Sequence, residues 1–361
     1  MNFPLNFYLA AFVGSLGTVL LVLPLWRQWC RRTGHVDDPG HRKIHHTPVP
    51  LAGGPAVLTG VLAPLLAGAL LLKLGIVSIA STGLIVHGVD RRALELGVIA
   101  LGAVAVTLLG WFDDRLELSP PVKFAGQFLI AFAVALVAKR ITLFVPNEFF
   151  SYAVTVFWIV TVINAFNFMD NMNGLCTGLG VIGALLFGLI AARDGEYLVA
   201  LIAFLTAGAL LGFLPYNFPK ATAFLGDAGS HLVGYLLAVL AILPHFYTKT
   251  NPHPLAVLSP LFVLALPLAD LACMVVLRTR AGRPFWIGDT NHLSHRLVRS
   301  GLTRTQAVLA IWALAAAIGV LALALSGSTP VPGAAAGRAA TIASQNICMP
   351  ETTSICCAYV R

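Results

Sequence analysis

The stretch LELGVIALGAVAVTLLGWFDDR, residues 94–115, decides the fold. Apart from Glu95 it is apolar up to Phe112, and a helix needs about 20 such residues to cross a hydrocarbon core. It ends on two adjacent carboxylates, Asp113 and Asp114, followed at once by Arg115. An acid at the bilayer centre costs roughly 2.5–3.5 kcal/mol on insertion scales and much less near the interface. The pair therefore marks where a span meets water. Read alone, it fits either a solvated helix end balanced by Arg115 or a reactive site in which repulsion between two acids makes one a better base.

The rest of the chain repeats the pattern. Of 361 residues, 58% are hydrophobic and 11% charged, against about 25% charged in a soluble domain. One core cannot hide that much apolar surface, so the fold class is an all-α polytopic integral membrane protein. Ten candidate spans stand at 5–25, 52–72, 94–112, 122–138, 150–165, 174–192, 197–215, 229–246, 255–276 and 305–325. The first has no Lys or Arg before it, unlike a signal peptide, and reads as an uncleaved span that starts outside the cytoplasm. The mixed stretch 73–92, with IVSIASTGLIV in its middle, reads as dipping into the interface. Residues 1–326 make the transmembrane domain. The small, polar, cysteine-flecked 327–361 reads as a disordered tail. None of the six cysteines makes a CxxC pair, so neither a zinc site nor a disulfide framework is indicated.

Parity orients the chain. Loops after odd-numbered spans carry twice the Lys and Arg of the others, from Arg27, Arg31 and Arg32 through Lys123 and Lys220 to Arg299 and Arg304. The positive-inside bias places those five loops in the cytoplasm. The +8 net charge therefore reads as orientation and phosphate binding, not nucleic-acid binding. Asp37, Asp38, Asp113, Asp114, Glu117, Asp170, Asp227 and Asp289 fall in the same loops or at their edges.

Four further motifs stand there. RKIHHTPVPLAGG (42–54) sets basic residues against a Pro- and Gly-shaped turn; its bland reading is a membrane anchor. NAFNFMDNMNG (164–174) repeats Asn164, Asn167, Asp170 and Asn173 every three residues, which on a helix would form one polar face. That face needs partners, either structural or a ligand. FLGDAGS (224–230) holds Asp227 between glycines before a span, as a helix cap or as a Mg²⁺ ligand. NHLSHRL (291–297), after an Arg-rich loop, offers His292 and His295 in a setting suited to phosphate oxygens.

Together with GWFDDR, these motifs in this order resemble the polyprenyl-phosphate N-acetylhexosamine-1-phosphate transferases, the MraY- and WecA-like glycosyltransferase family 4. The resemblance covers roughly residues 5–325. It implies transfer of a sugar 1-phosphate from a UDP-sugar to a polyprenyl (undecaprenyl) phosphate, with release of UMP, at the cytoplasmic face of the inner membrane. It implies Mg²⁺, with Mn²⁺ as an alternative, at Asp227, and catalytic roles for Asp113, Asp114, His292 and His295. Lys43, Asn164, Asn167, Asp170, Asn173, Asn217 and Arg278 match nucleotide- or substrate-binding positions. The implied partners are the UDP-sugar, the lipid phosphate and membrane lipids, and a homodimer is compatible with the resemblance. The Arg-rich loop with D-x-x-H-x-x-H-R-L looks more like the WecA-like branch, so UDP-GlcNAc is favoured over UDP-MurNAc-pentapeptide. Two positions depart from the pattern: Asn173 stands for an acid and Ser294 for a histidine, and no eleventh span is evident. A lipid-phosphate binder, a transporter or a catalytically inactive relative are the other readings. Against a transporter, the acids sit at loop ends, Asp270 excepted, and no internal repeat is visible.

Overall fold

The computed structural model describes residues 4–38, 47–75, 91–138, 141, 145, 147–244, 254–284, 286 and 290–325. Lys43, the stretch 76–86, Asp289 and the tail 327–361 lie outside the described residues.

Helix α1 (Leu5–Thr33) leads through a short antiparallel pair, β1 (Val36–Asp37) and β2 (Val49–Pro50), into α2 (Gly53–Lys73). Helices α3 (Ala93–Leu116), α4 (Pro120–Val137), α5 (Glu148–Met169), α6 (Leu175–Arg193), α7 (Tyr197–Asn217) and α8 (Gly226–Ile242) follow. A 3₁₀ turn at Pro254–Leu258 precedes α9 (Ser259–Val263) and α10 (Ala265–Arg280). The short α11 (Leu293–Arg299) and α12 (Arg304–Leu325) complete the described chain.

Each of the ten expected spans overlaps a helix, and among the described residues eight helices are long and apolar enough to cross a membrane, while α8, the eighth expected span, is shorter and ends at Ile242. The ninth is not one straight span. Helices α9 and α10 meet at Leu264 with a bend of 70°. Pro267 supplies the cause: it has no N–H for the Val263 carbonyl, and its ring crowds that carbonyl. The expected polar stripe also differs. Helix α5 stops at Met169, so Asn164 and Asn167 are helical while Asp170 and Asn173 sit in the turn before α6. That turn closes on Gly174, whose φ of +77° is left-handed.

Helix α8 is the central post. Every residue from Ala228 to Ala241 is buried, as expected of a helix that is apolar all round. It packs against α3, α5, α2 and α6. At its N-terminus it meets the start of α2, the end of α3 and the end of α5. The start of α2 is fixed by Gly53 N–H to Phe224 O (2.9 Å) and Gly54 N–H to Leu225 O (3.1 Å). The loop into α8 is held by Phe224 N–H to Pro50 O (3.0 Å). Asn217, buried at the end of α7, accepts from Gly174 N–H and Thr177 Oγ1 and donates to Ala223 O. It clamps the α5–α6 turn to the α7–α8 loop.

Candidate active site

Two glycines bring the acids together. A Cβ on Gly110 would stand 2.4 Å from the Asp227 carbonyl oxygen, so only glycine lets α3 lie against the first turn of α8. Gly226 has φ +70°, and its Cβ would meet Asp114 Oδ2 at 2.8 Å. With that approach allowed, Asp114 Oδ1 accepts the Asp227 N–H (2.8 Å) and Oδ2 accepts the Ala228 N–H (3.1 Å). Asp114 thus caps α8, where unsatisfied N–H groups and the helix dipole favour a carboxylate.

Asp113 turns the other way. It is buried; Oδ1 accepts the Leu118 N–H (3.0 Å), and Oδ2 pairs with Lys123 Nζ at 2.5 Å. The same ammonium lies 3.1 Å from Asp227 Oδ2. Asp227 Oδ1 accepts from Asn167 Nδ2 (2.6 Å), which also reaches Ser230 Oγ (3.0 Å). His231, one turn further along α8, is fully buried. Ligand atoms of Asp113, Asp227 and His231 lie within 4.8 Å of one another. Two carboxylates that already hold a cationic group between them, beside an imidazole, are a donor set that fits a divalent cation.

A second cluster stands beside the first. His292 Nδ1 is 2.6 Å from Asp270 Oδ2, and both side chains are buried. Asp270 Oδ1 also accepts the Leu293 N–H (2.7 Å) at the start of α11. The His295 ring centre lies 6.4 Å from that of His292. Burial first, then the neighbouring His292, Arg299 and Arg304, hold the His295 imidazole below its usual range. The Arg278 guanidinium, also buried, stacks 4.9 Å over the Phe168 ring, and His292 meets the same ring edge-on. Buried Ser294 donates to Asn171 Oδ1 at 2.6 Å.

The end of α5 joins the two clusters. Asn167 faces Asp227, Phe168 faces His292 and Arg278, and Asn171 holds Ser294. Asp170 lies between them just past the helix end. Burial above all, and then the negative charges of Asp227 and Asp114, push its carboxyl up to about 8. Asn164 sits a turn deeper, bonded to Gln127 Oε1 (2.6 Å) and Val160 O (2.8 Å). Asn173 is exposed and donates to Pro219 O.

Of the residues singled out from sequence, Asp113, Asp114, Asn167 and Asp227 meet in the first cluster. Arg278, His292 and His295 meet in the second, with Asp170 between. Asn217 and Asn164 make bonds inside the bundle. Lys123, His231 and Asp270 are not among the site residues to which the sequence points. Lys123 was read only as an orienting charge. Asp270 stood out as an acid inside a span, a position that calls for a partner. The spacing of His231, four residues after Asp227, was the available signal.

The sequence pattern of glycosyl transferase family 4 matches residues 96–245. A Bacillus subtilis (strain 168) relative, named a probable undecaprenyl-phosphate N-acetylglucosaminyl 1-phosphate transferase, is 31% identical over 327 residues, which is 88% of this chain and 85% of that protein. The decaprenyl-phosphate N-acetylglucosaminephosphotransferase of Mycobacterium tuberculosis (strain CDC 1551 / Oshkosh) is 34% identical over 314 residues, 79% of this chain and 74% of its own length. The undecaprenyl-phosphate alpha-N-acetylglucosaminyl 1-phosphate transferase of Escherichia coli (strain K12) is 28% identical over 312 residues, 82% and 78% of the two chains.

Proposed function

Because this chain belongs to glycosyl transferase family 4, we propose that it transfers N-acetylglucosamine 1-phosphate from UDP-GlcNAc to polyprenyl phosphate, with undecaprenyl phosphate the favoured acceptor. An oxygen of the lipid phosphate attacks the β-phosphorus of the donor. The bond from that phosphorus to the bridging oxygen breaks, leaving a lipid-linked diphosphate sugar and UMP. The observation that carries this reading is the meeting, at one end of a membrane bundle, of an acid–lysine cluster and an Arg–His cluster across the five residues Asn167–Asn171.

Phosphoryl transfer is mostly positioning and charge stabilisation. Arg278 and His292 bind the diphosphate, with the Asp270 carboxylate holding the His292 ring in place. Asp113 orients the lipid phosphate or takes its proton, and Lys123 balances the charge between Asp113 and Asp227. Asp114 fixes the helix start that presents Asp227. Asp170 and Asn173 border the nucleotide. Asp227, with Asp113 beside it, would hold Mg²⁺ or Mn²⁺, whose charge would offset that of the diphosphate. The positive-inside bias sets this end of the bundle in the cytoplasm of a cell with its inner membrane as host. There a lipid phosphate from the bilayer and a nucleotide from water reach the same depth.

The test uses purified full-length protein with UDP-GlcNAc, undecaprenyl phosphate and Mg²⁺. UMP release and an organic-extractable labelled product should appear together, and Asp227→Asn should lower both by about 10²-fold or more. Full activity of that variant overturns the role given to Asp227. Product from UDP-MurNAc-pentapeptide but not from UDP-GlcNAc overturns the donor.

A further inference from the structure

Asp227 and His231 are four residues apart on α8 and so share a face. His231 is fully buried, and among the described residues neither of its ring nitrogens has a hydrogen-bond partner. A buried polar group left unsatisfied costs about 1–3 kcal/mol. A histidine kept there is therefore waiting for something that bonds to nitrogen. One of its nitrogens lies within 4.8 Å of carboxylate oxygens of both Asp113 and Asp227. Ligand atoms around one metal ion, each about 2.0–2.2 Å from it, stand about 3–4.4 Å apart, so a small adjustment suffices to bring all three onto one ion.

We infer that His231 is a nitrogen ligand in a three-residue Asp113–Asp227–His231 cation site, and that it tunes the site towards Mn²⁺ over Mg²⁺. Mg²⁺ takes oxygen ligands and gives up its waters reluctantly, whereas a divalent transition ion such as Mn²⁺, which oxygen ligands also suit, gains affinity from a nitrogen donor. A site of carboxylates alone would discriminate little between the two ions. Lys123 shows that the space between Asp113 and Asp227 accepts positive charge. Its ammonium rides on a flexible four-carbon stem and can withdraw towards an incoming phosphate when a metal ion takes the oxygens. The inference rests on the cation role proposed above for Asp227.

Full-length protein in detergent micelles is titrated with Mn²⁺ and followed by electron paramagnetic resonance, with Mg²⁺ as competitor. Pulsed spectra should show ¹⁴N coupling to bound Mn²⁺, and labelling histidine with ¹⁵N should replace it by ¹⁵N coupling. His231→Leu should lose the coupling and lower the Mn²⁺-to-Mg²⁺ affinity ratio about tenfold. The labelling experiment decides in the unaltered protein whether a histidine binds the ion, and His292→Ala and His295→Ala, which should keep the coupling, separate His231 from the second cluster. Bound Mn²⁺ without histidine nitrogen coupling overturns the inference, as does an unchanged ratio in the variant. Sugar-phosphate transfer that persists in excess EDTA instead overturns the cation role itself, so the two failures are told apart.

Discussion

Asp113 and Asp114 are adjacent in sequence, yet Asp114→Asn should behave as a helix-cap lesion where Asp113→Asn behaves as a catalytic one. Asp114 accepts two N–H groups, from Asp227 and Ala228, at 2.8 and 3.1 Å. An asparagine offers one oxygen for two donors, so one bond is lost and an NH₂ group faces an N–H. A hydrogen bond to a charged group contributes about 1.5–3 kcal/mol, and the charge at the helix N-terminus about 0.3–1 more. The loss is thus about 2–4 kcal/mol. At roughly 2.1 cal/mol/K of unfolding entropy per residue, a chain of this size should melt about 3–5 °C lower. Activity should fall with it, because Asp227 rides on the helix turn that is released. Asp113 caps nothing on α8; it faces Lys123. Asp113→Asn should cut turnover at saturating UDP-GlcNAc while leaving donor binding in place. Melting curves in detergent, read beside UMP release for both variants, check this. An unshifted melting point for Asp114→Asn with turnover lost would refute the division of labour.

Gly110→Ala pushes a methyl group to 2.4 Å from the Asp227 carbonyl oxygen; we expect activity to fall at least tenfold and the melting point to drop, whereas Gly97→Ala, with open space around its Cβ, should change neither. Asp270→Asn keeps an acceptor for the Leu293 N–H but removes the charge facing His292. It should lower kcat/KM about ten- to a hundredfold, yet cost less than twofold in a His292→Ala background; equal losses in both backgrounds would deny the positioning role. Asp170 stays protonated in the folded protein up to about 8 but ionises near 3.8 when unfolded. Burial of its charge therefore erodes stability as pH rises between about 4 and about 8, and Asp170→Asn should melt progressively higher than the parent from pH 5 to pH 8.5. A constant difference across that range would contradict it.

The spans were legible in the sequence because apolar length is a local property: each of the ten stretches holds helix, the ninth as two helices. The bend at Leu264 was less legible, since Pro267 lies inside a run whose hydropathy hides it. The one-face stripe from Asn164 to Asn173 failed as a helix because spacing says which residues would align, not where a helix stops. The ordered motifs named the loops that meet. Lys123 passed as one more orienting charge, and His231 as one more residue of an apolar span.

Composition and charge parity alone determined a bundle of membrane helices with its acids and arginines gathered in alternate loops. Those follow from transfer energies paid residue by residue, and neighbours in sequence suffice to read them. Only the tertiary structure decided which acid caps α8 and which faces Lys123. That choice depends on α8 running through the centre and on Gly110 and Gly226 letting α3 touch its first turn. Asp113 and Asp114 project from one helix about 100° apart. One therefore meets the N–H groups of α8 and the other meets Lys123 and Asp227, a distinction no reading of GWFDDR by itself contains.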